Sequence, residues 1–407
     1  MVGLGHVGLP TGALLAIAQK RVLGVDTSES RIAALNAGRC PIPEAGLQQL
    51  LDRAHEEGEF HVSDAAAPAR VYLVCVPTPV LESRECDLSH VLNAIRAIVK
   101  VAPRGAVIVL ESTVPPGTTT GIVRPLIEAL GRSVGEDLGL AFCPERVLPG
   151  NTIHEIVHND RVIGGIDERS TSAAIELYAA ICEGNCWPAE PTVAEAAKLF
   201  ENTFRDVNIA LANELAAISS RLGIDARAAI QLANHHPRVN IHDPGIGVGG
   251  HCIPVDPWFL HEVAPGEAQL IRASRIHNDA RPREVAAAIM GALPVGGRVA
   301  LLGLAYKPDS GDLRESPAIE VARELIAAGV ATVAWDPYVP PGCIGGRVVK
   351  DLPDAVASAD VVAVLVAHAE LLARESEIAG SNSRALTIDF TGRLAAADLY
   401  PLGRTRA

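Results

Sequence analysis

Short apolar runs rich in Val, Ile and Leu alternate along this chain with longer stretches of helical spacing, a pattern that predicts repeated strand–helix units. In the first half, strands are predicted at 21–25, 70–76, 106–110 and 140–143. Those at 70–76 and 106–110 run into Thr- and Pro-rich turns, at the carboxyl edge where an open parallel sheet binds ligands. Past Pro294 the alternation resumes, with strands at 298–304, 331–335, 360–366 and 385–388 and a helix over 316–328. Between the halves a proline-free stretch opens with Thr192 and Glu195 as a T-x-x-E capping box and stops at Gly223, which predicts one long helix. The fold class is therefore α/β: two Rossmann-like parallel-sheet domains, 1–191 and 294–407, joined by a helical central domain, 192–293.

The turn Gly3-Leu4-Gly5-His6-Val7-Gly8 follows G-x-G-x-x-G and leads into a helix predicted over 10–20, then a strand ending at Asp26. Backbone N–H groups at such a helix start favour a pyrophosphate, and an acid about 20 residues on suits ribose hydroxyls. Asp26 selects NAD over NADP, because a 2′-phosphate would be repelled. A Rossmann turn normally follows a buried strand of about five residues. Only Met1 and Val2 precede Gly3 here. The first strand is thus expected to be largely missing, either because the start lies upstream or because the strand is lost, with its neighbours left unpaired.

The segment Gly247-Val248-Gly249-Gly250-His251-Cys252-Ile253-Pro254-Val255-Asp256 places a thiol behind a glycine run and a carboxylate four residues later. Glycines allow positive φ and close approach to a ligand, so Cys252 reads as a nucleophile with Asp256 handling a proton or a water; the alternative is a structural cysteine beside a turn. Lys198, Asn202 and Arg205 fall on one helix face, which reads either as a solvated polar face or as donors for an oxyanion. Thr113 and Glu145, in sheet-edge turns, are candidates to orient a water or simply to cap their turns. Lys307 and Arg314 follow the first strand of the second sheet, a place suited to anionic ligands.

A net charge of −13 disfavours nucleic acid and anionic membranes as partners. No apolar run reaches membrane-spanning length and no signal peptide opens the chain, so a cytoplasmic protein is expected. The 8 cysteines are scattered, and Cys182 and Cys186 lack the paired spacing of a zinc site; reduced thiols and no metal are expected.

These motifs together resemble the UDP-glucose/GDP-mannose dehydrogenase family nearly end to end. Cys143-Pro144-Glu145-Arg146-Val147-Leu148-Pro149-Gly150, Phe204-Arg205-Asp206-Val207-Asn208-Ile209 and His236-Pro237-Arg238-Val239-Asn240-Ile241 resemble its 2-acetamido-sugar branch. Gly250-His251-Cys252 and Asp256-Pro257-Trp258-Phe259 are most similar to members acting on UDP-N-acetyl-D-mannosamine. The resemblance implies oxidation of that sugar at C6 to the uronic acid by two NAD, through a Cys252 thiohemiacetal and thioester. It also implies catalytic roles for Lys198, Asn202, Asp256, Glu145 and Thr113, with either Lys198 or a water held by Glu145 and Thr113 as the first base. The UDP-sugar is expected at Arg146, Val147, Lys198, Asn202, Arg205, His236, Arg238, Gly249, Tyr306 and Lys307. NAD is expected at Gly3, Gly5, His6, Val7, Gly8, Asp26, Arg31, Thr78, Thr113 and Arg314. A homodimer through the long helix is implied as well. Against the family, the junction Gln19-Lys20-Arg21 is short, which is expected to shift Asp26 relative to the ribose. Two readings stand beside this one: the same chemistry on UDP-N-acetylglucosamine, and a non-catalytic nucleotide-sugar binder with a disabled NAD site.

Overall fold

The computed structural model describes residues 1–148 and 150–403, so Pro149 of the 143–150 motif lies outside the described residues. The chain divides into two compact units: Met1–Glu201 with Glu262–Pro265, and Asn202–His261 with the chain from Gly266 onward.

The first unit is built on β1 (Arg21–Val25), β2 (Glu59–Ser63), β3 (Val71–Val74), β4 (Val107–Leu110), β5 (Gly139–Phe142), β6 (Arg161–Gly165) and β7 (Cys186–Ala189). β1 pairs with β2, and β3 to β7 pair in sequence order, all in parallel except β5 with β6. Val2 bridges Val25 on one side and Val74 on the other, which links the two sets of strands. Its N–H donates to Leu73 O and its carbonyl accepts from Cys75 N, each at 2.8 Å. The stub before the first glycine therefore occupies the central strand position for the residues it has.

Alternate strand residues face opposite sides of this sheet. Leu73, Val107, Val109, Ala141 and Ile163 pack on one side with Leu4, Leu9 and Leu51. Tyr72, Val74, Ile108, Leu110, Leu140 and Phe142 pack on the other with Ile95 and Ile98. Each buried Val, Leu, Ile or Phe among them stabilises the fold by roughly 1.5–3 kcal/mol, and burial on both faces is what the continuous apolar runs encode.

In the second unit β8 (Arg298–Leu302), β9 (Ala331–Trp335), β10 (Val361–Val364) and β11 (Leu386–Asp389) form an all-parallel sheet in the order β11-β10-β8-β9. Val299, Leu301, Val361 and Ala363 go to one core, and Ala300, Leu302, Val362 and Val364 to the other. Among the described residues no helix is long and apolar enough to cross a membrane. All eight cysteines are free thiols.

The long helix runs Pro191–Leu222 and ends at Gly223, whose φ of 69° lies in the left-handed region that favours glycine. Its start departs from the expected capping box. Proline stands first, where a missing N–H costs nothing, so Glu195 lies a turn inside the helix. The Glu195 carboxylate is buried and accepts instead from Gly117 N at 2.6 Å and from Thr119 N and Oγ1 at 2.8 and 2.6 Å.

Candidate functional site

The first turn of the first unit is a glycine cradle. Gly3 has φ 91°, and a Cβ at Gly8 would lie 2.0 Å from Gly3 O, so a side chain at Gly8 is excluded. The helix Gly8–Ile17 starts after Val7 with no side-chain cap and no acid in its first turn, leaving its positive end to an anionic ligand. The short junction before β1 is made by Gln19 at φ 61°. Asp26, buried at the end of β1, accepts from Leu4 N and Ser28 N at 2.9 Å each and from Arg31 Nη1 at 2.8 Å. Burial alone would raise the Asp26 pKa, but the two amides and the Arg31 guanidinium outweigh it and hold the carboxyl below its ordinary range. A backbone-lined cradle, an uncapped helix start and an ionised acid fit a dinucleotide. Thr78 Oγ1 donates to Thr113 O at 2.7 Å, joining two turns at the carboxyl edge of the same sheet.

Glu145 follows β5 and accepts a hydrogen bond from Val147 N. Its burial pushes its pKa up, and the nearby Lys198 ammonium only partly offsets that rise. Lys198 and Asn202 are both buried, which rules out a solvated face for them, whereas Arg205 is exposed. Arg146 is engaged by Glu201 at 2.6 Å and donates to Asp160 O at 3.2 Å.

Beside Glu145 lies a buried cluster that sequence reasoning missed. Glu111 accepts from Tyr178 OH at 2.6 Å and from Cys75 Sγ at 2.7 Å, with Arg161 at 3.6 Å. The guanidinium of Arg161 lies 4.4 Å from the centre of the Tyr178 ring. Burial pushes the Cys75 thiol well up and the Cys143 thiol to about 12, so neither supplies a thiolate near neutrality. Glu111 and Cys75 directly follow strands, Arg161 opens one and Tyr178 ends a helix, and in the sequence such positions look like any element end.

In the second unit Cys252 is partly exposed on a turn that its own carbonyl closes, accepting from Val255 N at 3.0 Å and Asp256 N at 2.8 Å. Asp256 is thereby the first residue of the helix Asp256–Val263, and its buried carboxylate accepts from Asn202 Nδ2 at 2.6 Å. Arg205 Nη1 donates to Asn202 Oδ1 at 2.7 Å, fixing which way the amide faces. The loop after β8 packs on this turn. A Cβ at Gly249 would come within 2.6 Å of Tyr306 Cβ, and Gly250 N donates to Arg314 O at 3.1 Å. Arg314 in turn holds Asp312 at 2.5 Å, and Lys307 Nζ lies 5.8 Å from the Tyr306 ring centre. Cys252, Asp256, Asn202, Arg205, Gly249, Tyr306 and Arg314 are thus linked by contacts within one unit. His236 and Arg238 stand exposed beyond the helix Ala226–Asn234, joined to each other by Arg238 N to His236 Nδ1 at 3.4 Å.

The cradle and its acid put the chain among dinucleotide-binding proteins. It belongs to the UDP-glucose/GDP-mannose dehydrogenase family, matching that family's NAD binding domain over residues 1–182, its central domain over 192–280 and its UDP binding domain over 300–395. The chain is therefore an NAD-dependent UDP-sugar dehydrogenase. It is 42% identical over 392 residues to the UDP-N-acetyl-D-mannosamine dehydrogenase of Escherichia coli K12, covering 91% of this chain and 93% of that one. It is also 42% identical over 383 residues to the NDP-N-acetyl-D-galactosaminuronic acid dehydrogenase of Ralstonia solanacearum, covering 90% of each. Among solved structures, the UDP-D-ManNAc dehydrogenase of Pyrococcus horikoshii superposes with a TM-score of 0.92 at 37% identity, covering 99% of both chains.

Proposed function

We propose that this protein oxidises UDP-N-acetyl-D-mannosamine at C6 to UDP-N-acetyl-D-mannosaminuronate in a four-electron reaction. The observation that carries the proposal is the seating of Cys252: a partly exposed thiol on a glycine turn, with a buried Asp256 opening the next helix and held by Asn202 at 2.6 Å. The names of the similar proteins from E. coli and P. horikoshii support the substrate.

The 3–8 turn, Asp26, Arg31, Thr78, Thr113 and Arg314 would hold NAD, which would supply the hydride acceptor, two per sugar. Cys252 holds the C6 aldehyde as a thiohemiacetal, and the acyl group then rests on the sulfur as a thioester. Lys198 and Asn202, one helical turn apart and buried, donate to the oxyanion. Asp256 takes a proton from the water that hydrolyses the thioester. Glu145, whose raised pKa makes it a better proton acceptor near neutrality, holds a water with Thr113; that water or Lys198 takes the C6 hydroxyl proton. Arg146, Val147, Arg205, His236, Arg238, Gly249, Tyr306 and Lys307 bind the nucleotide sugar. In this reading 1–191 serves the dinucleotide, 192–293 the chemistry and 294–407 the UDP group.

The test is NADH release from the purified chain given UDP-N-acetyl-D-mannosamine, with the gluco and galacto epimers in parallel. Two NADH per mannosamine sugar, lost in Cys252→Ser, is the expected result. Turnover confined to the galacto epimer would instead favour the activity named for the Ralstonia relative. We also propose a homodimer. Phe204, Leu211, Ile218 and Leu222 are exposed apolar residues at heptad-like spacing on the long helix, and such a stripe suits a second copy. A sedimentation mass of one chain would overturn it.

A further inference from the structure

We propose that His251 is the acid–base partner of Cys252, taking the thiol proton as sulfur adds to the aldehyde and returning a proton when the thioester is cleaved. The inference rests on the reading of Cys252 as the nucleophile given above.

His251 Nδ1 lies 3.0 Å from Cys252 Sγ, within thiol–imidazole hydrogen-bond reach. Neighbouring residues of an extended chain point to opposite sides, so this contact has to be built by the backbone. It is built by the turn between Gly250, at φ 87°, and Asp256, whose N–H closes onto Cys252 O. An ordinary thiol, with a pKa of about 8.5, is only a few per cent thiolate at pH 7. Within residues 247–256 His251 is the sole nitrogen base. Ionisable groups near this pair include Asp256 on its own turn, Tyr306 and Arg314 beside the sulfur, and Asp312 beside the imidazole, the last three on the loop after β8. Arg314 carries charge but no exchangeable lone pair, and its guanidinium is held by Asp312. Burial and the Asp312 charge raise the Tyr306 pKa and so keep it a neutral phenol, which is a poor base. Asp256, whose carboxylate accepts from Asn202, is the group assigned above to the hydrolytic water. The imidazole, in direct contact with the sulfur, is placed to accept its proton.

The proton bookkeeping closes. With the resting proton on Nε2, addition forms the S–C bond, opens the carbonyl π bond to an alkoxide and moves the S–H proton to Nδ1. On hydrolysis the water oxygen bonds to the acyl carbon, the S–C bond breaks and the Nδ1 proton returns to sulfur. His251 ends as it began.

The test is the pH dependence of iodoacetamide alkylation at Cys252, read by mass spectrometry of its peptide from the full-length protein. In the wild type the rate should persist below neutrality, with an inflection in the histidine range. In His251→Ala and His251→Gln it should show a single inflection near an ordinary thiol's value of about 8.5, with the rate at pH 7 lowered roughly tenfold. His251 is exposed, so both variants should keep the wild-type melting temperature. A wild-type alkylation profile in either variant would overturn the proposal and leave the role of Cys252 standing. Uronate formation at the wild-type rate by Cys252→Ser would overturn the parent reading instead.

Discussion

His368 Nε2 and Asp336 Oδ2 meet at 3.0 Å with both side chains fully buried, and this pair organises the loop that bears Tyr306 and Lys307. The same Asp336 oxygen accepts from Leu304 N at 2.6 Å and Ala305 N at 3.1 Å, at the start of the loop. The other ring nitrogen, Nδ1, accepts from Asp309 N at 2.9 Å, further along it. That assigns the imidazole proton to Nε2. Asp309 sits at φ 55°, a conformation that costs a non-glycine residue about 1–2 kcal/mol, and its carboxylate accepts from Ala369 N at 2.8 Å. One imidazole therefore ties two points of the loop to the sheet edge. His368→Ala should raise the KM for the UDP-sugar roughly tenfold, about 1.4 kcal/mol, with a smaller change in kcat. His368→Gln, which offers both a donor and an acceptor, should recover most of the loss. A fall in kcat at unchanged KM in steady-state assays would contradict this assignment.

Glu145 sets a prediction in pH. Its folded-state pKa is raised by burial, so the anion is lost as pH falls through that raised value rather than through the ordinary carboxyl value of about 4.3. The acid limb of kcat/KM should accordingly lie above that range, and Glu145→Gln should remove the limb while lowering the rate. Because Lys198 favours the anion, Lys198→Met should move the limb to still higher pH in addition to slowing turnover. An acid limb at the same pH in Lys198→Met and the wild type would count against their coupling.

Asp256→Asn keeps the contact with Asn202 in shape but removes the proposed proton acceptor. Hydrolysis should slow by about 10²–10⁴-fold while the first oxidation continues. Intact-protein mass spectrometry during turnover should then find the uronyl group on Cys252. Rapid product release with no adduct would remove Asp256 from the hydrolytic step.

Glu195→Ala should destabilise the chain by about 1–3 kcal/mol, because it leaves the buried N–H groups of Gly117 and Thr119 without their acceptor. Urea unfolding measures this directly. No shift in the midpoint would mean that the turn finds another acceptor.

Much of this architecture was legible in the chain itself. Val107–Leu110 and Val361–Val364 are short apolar runs rich in β-branched residues, which reads as a strand buried on both sides. The fingerprint at Gly3, Gly5 and Gly8, the acid at Asp26 and the thiol at Cys252 announce themselves because their chemistry depends on local spacing. What the spacing left open was whether Lys198 and Asn202 face water. Helical periodicity places them on one side but does not say what covers it, and only tertiary packing buried them. Glu195 was misread for the same reason: its partner is a turn far away in sequence. The Glu111–Tyr178–Arg161 cluster and the Asp336–His368–Asp309 clamp join residues from strand ends, a helix end and a loop that lie far apart in sequence, so no local pattern encodes them. The sequence by itself determined the elements and the cofactor class, and it singled out Cys252 as the candidate nucleophile. The tertiary structure alone decided which polar groups lose water and which partner each then takes, because desolvation depends on neighbours that the chain brings together only by folding.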